Sequence, residues 1–236
     1  MALTLCPVVG KKKSADLCAA FAMRAPATAE GYVFFGVNET NYDVWRSVRR
    51  KGLPFYYIDN SYFDAARGEQ YRVTRNAVQM PADRIREARS DGARFAALGC
   101  EIKPWFDARE GHWLVVEQSP GFMKLVAEHA TWLTQTVNEV KRSSAHPVKF
   151  RSWDPDKLKV QASLPADLVG ARTVVTHSSA AAITGALAGV PFLVSPMSAI
   201  YSMQPFERLH FVQVLADNQW SIDELRAGNA WEALQE

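Results

Sequence analysis

Apolar residues fall in short runs separated by amphipathic stretches, which is the pattern of alternating strands and helices. Tyr32-Val-Phe-Phe-Gly-Val37, closed by Asn38, predicts a buried strand. From Asn41 to Lys51, Tyr42, Val44, Trp45 and Val48 recur at helical spacing, and Gly52 stands where a glycine stops a helix. Leu53-Pro-Phe-Tyr-Tyr-Ile58 predicts a second strand that ends at Asp59-Asn60. Strand, helix and strand with short links make a βαβ unit and imply a parallel sheet. Glu69 to Ala77, with Tyr71 and Val73 interleaved with Arg72 and Arg75, predicts a strand with one polar face, and Pro81 to Leu98 predicts a helix.

A second series begins at Trp113-Leu-Val-Val-Glu117, a strand. The turn Gln118-Ser-Pro-Gly121 then opens a long helical pattern that carries Leu125, Val126, Trp132, Leu133, Val137 and Val140 and ends at Lys141-Arg142. Pro147 to Arg151 predicts a strand, broken by Trp153-Asp-Pro-Asp156, and Leu164 to Val169 a short helix. Thr173–Thr176, Ser178–Ala188 and Pro191–Val194 give the clearest βαβ signal in the chain. Ser221-Ile-Asp-Glu224 is a capping-box sequence that starts a final helix to about Leu234. The expected fold is α/β: two small Rossmann-like lobes with parallel sheets, residues 1–110 and 111–236, with a cleft between them. Ligands in such sheets lie beyond the carboxyl ends of the strands.

Composition narrows the classes. With 236 residues, 48% of them hydrophobic and a net charge of +2, the chain can bury a core and is no bulk polyanion binder. The excess charge is local: Asp43 to Arg94 holds 11 basic and 7 acidic side chains. Three cysteines, without a CxxC pair or a histidine cluster, argue against zinc and suit a reducing compartment. The amino terminus lacks signal-peptide features, and no apolar run reaches the roughly 18 residues of a membrane span. A cytoplasmic protein is expected. Lys11-Lys12-Lys13 is expected in a solvated loop or at a strand end.

The residues after each strand are the candidates for chemistry. His177-Ser178-Ser179 lies at a strand-to-helix turn, where free N–H groups, two hydroxyls and an imidazole could hold a phosphate; the alternative is that Ser178 is only an N-cap. Asp59 could act as general base toward an acceptor hydroxyl, or belong to a turn with Asn60. Gly36 and Asn38 end the first strand, where backbone could approach a ligand or simply turn. Arg151 could fork onto a phosphate or pair with Asp154 or Asp156. His112, His129, His146 and His210 lack metal-ligand spacing, and Trp45, Trp132 and Trp231 read as core residues. No Walker A sequence, GxSxG elbow or paired helical histidines are present.

The order strand, His-Ser-Ser, alanine-rich helix, Ala188-Gly-Val-Pro191, strand resembles the donor lobe of GT-B-fold glycosyltransferases, in particular the capsule-polysaccharide type and short bacteriophage-encoded proteins. Phe55-Tyr-Tyr-Ile-Asp-Asn60 and Leu215-Ala-Asp-Asn-Gln-Trp220 with Trp231 are similar to the phage type. The likeness is carried mainly by residues 145–200. It implies that His177, Ser178 and Ser179 hold the diphosphate of a nucleotide-sugar, a UDP-sugar by preference. It implies that Ser119 and Gly121 form the other phosphate-facing turn, and that no metal or resident cofactor takes part. The acceptor would lie on the first lobe, around Gly36, Asn38, Asp59 and Asn60. The basic residues Arg46, Arg49, Arg50, Lys51, Arg72 and Arg75 would suit a polyanion such as hydroxymethylated phage DNA. The alternatives are a sugar-nucleotide epimerase on the same scaffold and a non-catalytic nucleotide-binding module.

Overall fold

The computed structural model of the chain describes residues 3–63, 66, 68–106, 110–126, 131–153 and 163–235. It forms two compact units, residues 1–80 together with 214–236, and residues 81–213.

In the first unit the strands are β1 (Leu3–Leu5), β2 (Gly31–Phe35), β3 (Phe55–Asn60), β4 (Gln70–Arg75) and β9 (Gln219–Ser221), hydrogen-bonded in the order β1-β2-β3-β4-β9. β1, β2 and β3 run parallel, as the βαβ signal predicts, whereas β4 and β9 are antiparallel to their neighbours. The sheet is therefore mixed rather than parallel throughout. A parallel return needs a crossover of a dozen or more residues, and the short link from Asn60 to Gln70 is not one.

Helix α1 (Lys12–Ala22) begins inside the lysine run expected in a solvated loop or at a strand end, with its lysines solvated and Leu17, Cys18 and Phe21 buried. These three pack on Val33, Tyr56, Ile58, Tyr71 and Val73, and Trp220, Leu225 and Trp231 of the C-terminal segment complete that core. Alternate strand residues point to the other face, where Trp45 of α2 (Tyr42–Arg50) meets Phe34, Phe55 and Tyr57 edge-on or tilted. The expected boundary near residue 110 does not match this division. Helix α9 (Arg208–Asp217) carries the chain across it, and β9, α10 (Ile222–Ala227) and α11 (Asn229–Gln235) belong with the amino-terminal sheet. The Ser221–Glu224 capping box opens α10 as predicted, but Gly228 ends that helix and α11 follows.

The second unit holds β5 (His112–Val116), β6 (Val148–Arg151), β7 (Ala171–Thr176) and β8 (Phe192–Val194), all parallel, in the order β6-β5-β7-β8. Two expected helices are each divided. Pro81 to Leu98 becomes α3 (Ala82–Glu87) and α4 (Ala93–Ala97), separated at Gly92. The pattern after Gln118 becomes α5 (Pro120–Leu125) and α6 (Trp132–Ser143). Helix α7 (Leu164–Leu168) precedes β7, and α8 (Ala181–Leu187) links β7 to β8. Alanines make α8 lie close on the sheet: Ala182 and Ala186 are fully buried, and a methyl group on Gly185 would meet Val174 Cγ2 at 2.8 Å.

Candidate functional site

Strand order decides where the second sheet can hold a ligand. From β5 the chain crosses to β6 on one side, and β7 then pairs with β5 on the other, so the order reverses between β5 and β7. The connections leave the carboxyl ends of these two strands in opposite directions and part the loops, which is where open α/β sheets bind ligands. The turns that meet there are Glu117–Gly121 after β5 and His177–Ala180 after β7, the two turns expected to face a phosphate.

Each turn is built by local capping. Ser119 takes the N-cap position of α5, where its hydroxyl accepts from the Phe122 N–H at 3.1 Å and Pro120 stands at N1. Ser179 stands just before α8: its Oγ accepts from the Ala181 N–H at 3.2 Å and its carbonyl from the Ala182 N–H at 3.1 Å. Ser178 is thus not the N-cap: that position is Ala180, Ser179 braces the turn before it, and α8 starts three residues later than the sequence pattern suggests.

The interior takes His177 and Ser178. His177 is fully buried between the edges of Phe122 and Trp132, with its Nδ1 3.1 Å from Ser178 Oγ. The imidazole expected to face a phosphate is therefore enclosed in this structure, with Ser178 as its hydrogen-bonding neighbour. The His177 carbonyl accepts from the Ser195 N–H at 2.8 Å and so ties this turn to the end of β8.

The backbone N–H groups of Ser178 and Ser179 point to a single place, and a side chain fills it. With its amide oxygen turned to them, Gln118 accepts from both, at 2.9 and 2.5 Å. Two successive N–H groups converging on one oxygen form a nest of the kind that binds anions. Gln118 as a whole is half-buried. Its role was not legible in the sequence, because a partner 60 residues away leaves no local signal.

Arg151 lies at the end of β6 as predicted, but its guanidinium is bound to Asp167 at 2.6 Å. Lys149 reaches the other oxygen of the same carboxylate at 2.7 Å. Burial alone would raise the Asp167 carboxyl, but the hydrogen bonds from Lys149 and Arg151 outweigh it and hold it below the usual carboxylate range. Asp154 and Asp156, the alternative partners considered for Arg151, lie outside the described residues, as does His129. His112 and His210 bond to the carbonyls of Asp167 and Ile85.

The first unit's candidates are placed as follows. Gly36 has φ +69°, a left-handed turn open to glycine, and its carbonyl accepts from the buried Asn41 side chain at 3.3 Å. Asn38 accepts from the Thr40 N–H and hydroxyl and donates its own N–H to Asn41, so both residues serve the turn itself. Asp59 sits at the carboxyl end of β3, with Oδ2 bound by Arg72 and Oδ1 accepting from the Asn60 N–H at 2.8 Å. Asn60 is exposed beside it. Arg72, expected on the basic face, is instead buried over the Tyr62 ring. Burial alone would lower its pKa, but the Asp59 carboxylate and the Tyr62 and Tyr57 hydroxyls hold it above its ordinary value.

The other basic residues are exposed; Arg46 lies mid-way along α2 beside Asp43, and Arg49, Arg50, Lys51 and Arg75 are at the far end of the sheet. α2 runs against the strands, so Arg49 reaches the Phe55 ring at the start of β3, with Arg50 and Lys51 following. Asp59 is four residues further, about 13 Å at the usual rise of a strand. Arg75 likewise pairs in register with Tyr56 near that start.

No protein-family profile matches the chain, and no curated protein does. Among solved structures it is similar to Thermosulfurimonas dismutans KpsC, a beta Kdo 2,4 transferase, at 13% identity over 78% of each chain, with a TM-score of 0.41.

Proposed function

We propose that the protein is a nucleotide-sugar-dependent glycosyltransferase that takes the donor's diphosphate at the carboxyl ends of β5 and β7. One observation carries this reading: at the point where the strand order of an all-parallel sheet reverses, the Ser178 and Ser179 N–H groups converge on a single oxygen position. Preorganised donors at that position would stabilise the charge that develops on a departing diphosphate, and they need no metal to do so. His177 supports the turn from within, and the Ser119–Gly121 turn closes the opposite side. UDP and UDP-sugars are the first ligands to try.

A non-catalytic nucleotide-binding module is the second reading, and Asp59 favours it. Both of its oxygens are engaged, by Arg72 and by the Asn60 N–H, so the expected base is committed to structure. A thermal-shift panel of nucleoside diphosphates and nucleotide-sugars tests the site, because a ligand that binds only the folded state raises its melting temperature. A rise with UDP or a UDP-sugar is the expected result, and a flat panel overturns the site. Consumption of the nucleotide-sugar that binds then separates the readings: turnover supports the transferase, and binding without turnover supports the module. Duplex DNA, plain or hydroxymethylated, enters the same assay as acceptor. Contact at the basic edge would weaken steeply between roughly 50 and 200 mM salt.

A further inference from the structure

A nucleotide held at its diphosphate still has a ribose and a base to place, and the strand ends on the β6 side of the sheet carry groups suited to both. Val116 is in register with Thr176 of β7 on one side and with Arg151 of β6 on the other, so His177, Glu117 and Ser152 follow at one level along the carboxyl edge. The Glu117 N–H donates to the Arg151 carbonyl at 3.0 Å, which carries the pairing one step past the strands. The Glu117 carboxylate then turns to β6: its Oε2 accepts from the Ser152 hydroxyl at 2.9 Å and from the Trp153 N–H at 3.4 Å. These two bonds pin the backbone that presents Trp153, which is 44% exposed. Among the described residues, neither Glu117 Oε1 nor the Trp153 indole N–H has a hydrogen-bond partner.

We infer that Trp153 and Glu117 form the nucleoside end of the site, with the indole as stacking surface for the base and the Glu117 carboxylate as acceptor for the ribose diol. The inference rests on the reading that a diphosphate binds beside β7, and it adds which residues select the nucleoside and by what chemistry. β6 and β7 flank β5, so the two ends of the site are two strand spacings apart, about 10 Å, which the α-phosphate and ribose of a nucleoside diphosphate bridge. Every base has a π-face, so stacking on Trp153 supplies affinity with little choice among bases. The choice lies in the sugar. An ionised carboxylate only accepts hydrogen bonds, and a ribose offers it two adjacent hydroxyl donors where a 2′-deoxyribose offers one. At about 10 Å the repulsion between this carboxylate and the diphosphate is largely screened by salt.

The test is calorimetric titration of the parent, Trp153→Ala and Glu117→Gln with UDP, 2′-deoxy-UDP and inorganic pyrophosphate, with circular dichroism to check that each is folded. The parent should bind UDP about tenfold tighter than 2′-deoxy-UDP, the effect of one hydrogen bond to a charged acceptor. Trp153→Ala should weaken both nucleotides alike, by about tenfold, and leave pyrophosphate unchanged. Glu117→Gln keeps an oxygen on Ser152 and Trp153 but turns a neutral amide to the ligand, and should bring the two nucleotides to within about threefold of each other. Their ratio is the readout there, because removing a negative charge shifts both affinities together. Equal UDP binding by Trp153→Ala and the parent overturns the stacking role, and a ribose preference that survives in Glu117→Gln overturns the carboxylate's role. If the parent binds pyrophosphate as tightly as UDP, the nucleoside end is overturned and the diphosphate site stands. If it binds UDP through Trp153 but no pyrophosphate, the diphosphate reading falls and the nucleoside end stands. Binding of neither overturns both.

Discussion

Arg72 is 5% exposed and carries its charge into the first unit's interior, where Asp59 is the carboxylate bound to it. Neutralising Asp59 leaves a buried guanidinium without its counter-charge, the kind of change that costs about 3 kcal/mol. Asp59→Asn should therefore lower stability by about that amount in urea unfolding. Replacing both partners, Asp59→Asn with Arg72→Met, should recover much of the loss, because no uncompensated charge remains. A base role predicts a different outcome: a full-strength fold with turnover reduced roughly 100-fold. The sequence places Asp59 correctly at a strand end, but the strand beside it decides its partner. Arg151 carries the same lesson, since its position at the end of β6 was legible and its pairing with Asp167, brought in by α7, was not.

At the level of elements, the β7–α8–β8 unit was readable in order and type, with bounds shifted by up to three residues. Its strands are short apolar runs, its helix is made of small residues, and Gly189 closes it with φ +80°. Gly189 also has no room for a side chain, since a methyl group there would stand 2.0 Å from the Pro104 carbonyl oxygen. The segment before it is bound to this corner through Lys103 N–H to Leu187 carbonyl and Phe106 N–H to Gly189 carbonyl bonds. Gly189→Ala should accordingly lower the melting temperature sharply, by several degrees or more for a loss of about 2–3 kcal/mol. A thermal melt of that variant alongside Gly99→Ala, where φ is also positive but the space is open, separates crowding from backbone strain. The helices that the sequence merged, α3 with α4 and α5 with α6, show the limit of periodicity. Apolar spacing continues across a break in which Ala88 turns extended after α3 and a left-handed Gly92 precedes α4. α1 was missed because its first residues are the exposed lysines, and the buried stripe of Leu17, Cys18 and Phe21 begins only afterwards.

Over the whole molecule, the first unit is assembled from both ends of the chain. Gln219 of β9 accepts from the Ser61 hydroxyl and from the Tyr62 N–H, both at 2.6 Å, and Trp231 stacks on Phe21 while its indole N–H donates to the Phe21 carbonyl. Removing residues 214–236 should abolish the cooperative melting of this unit in scanning calorimetry. Limited proteolysis should then cut within residues 1–80 while residues 81–213 resist. A truncated chain with a protected amino-terminal sheet would contradict the division. The same arrangement orders events on the ribosome. β1 to β4 emerge first, yet their closing strand is made only after the entire second unit, a delay on the order of ten seconds at about 5–20 residues per second. Until β9 arrives, β4 is an open edge with unpaired N–H and C=O groups, able to recruit a strand from a neighbouring nascent chain. On a polysome, where many copies wait at once, that edge is the point at which a holdase chaperone would matter most.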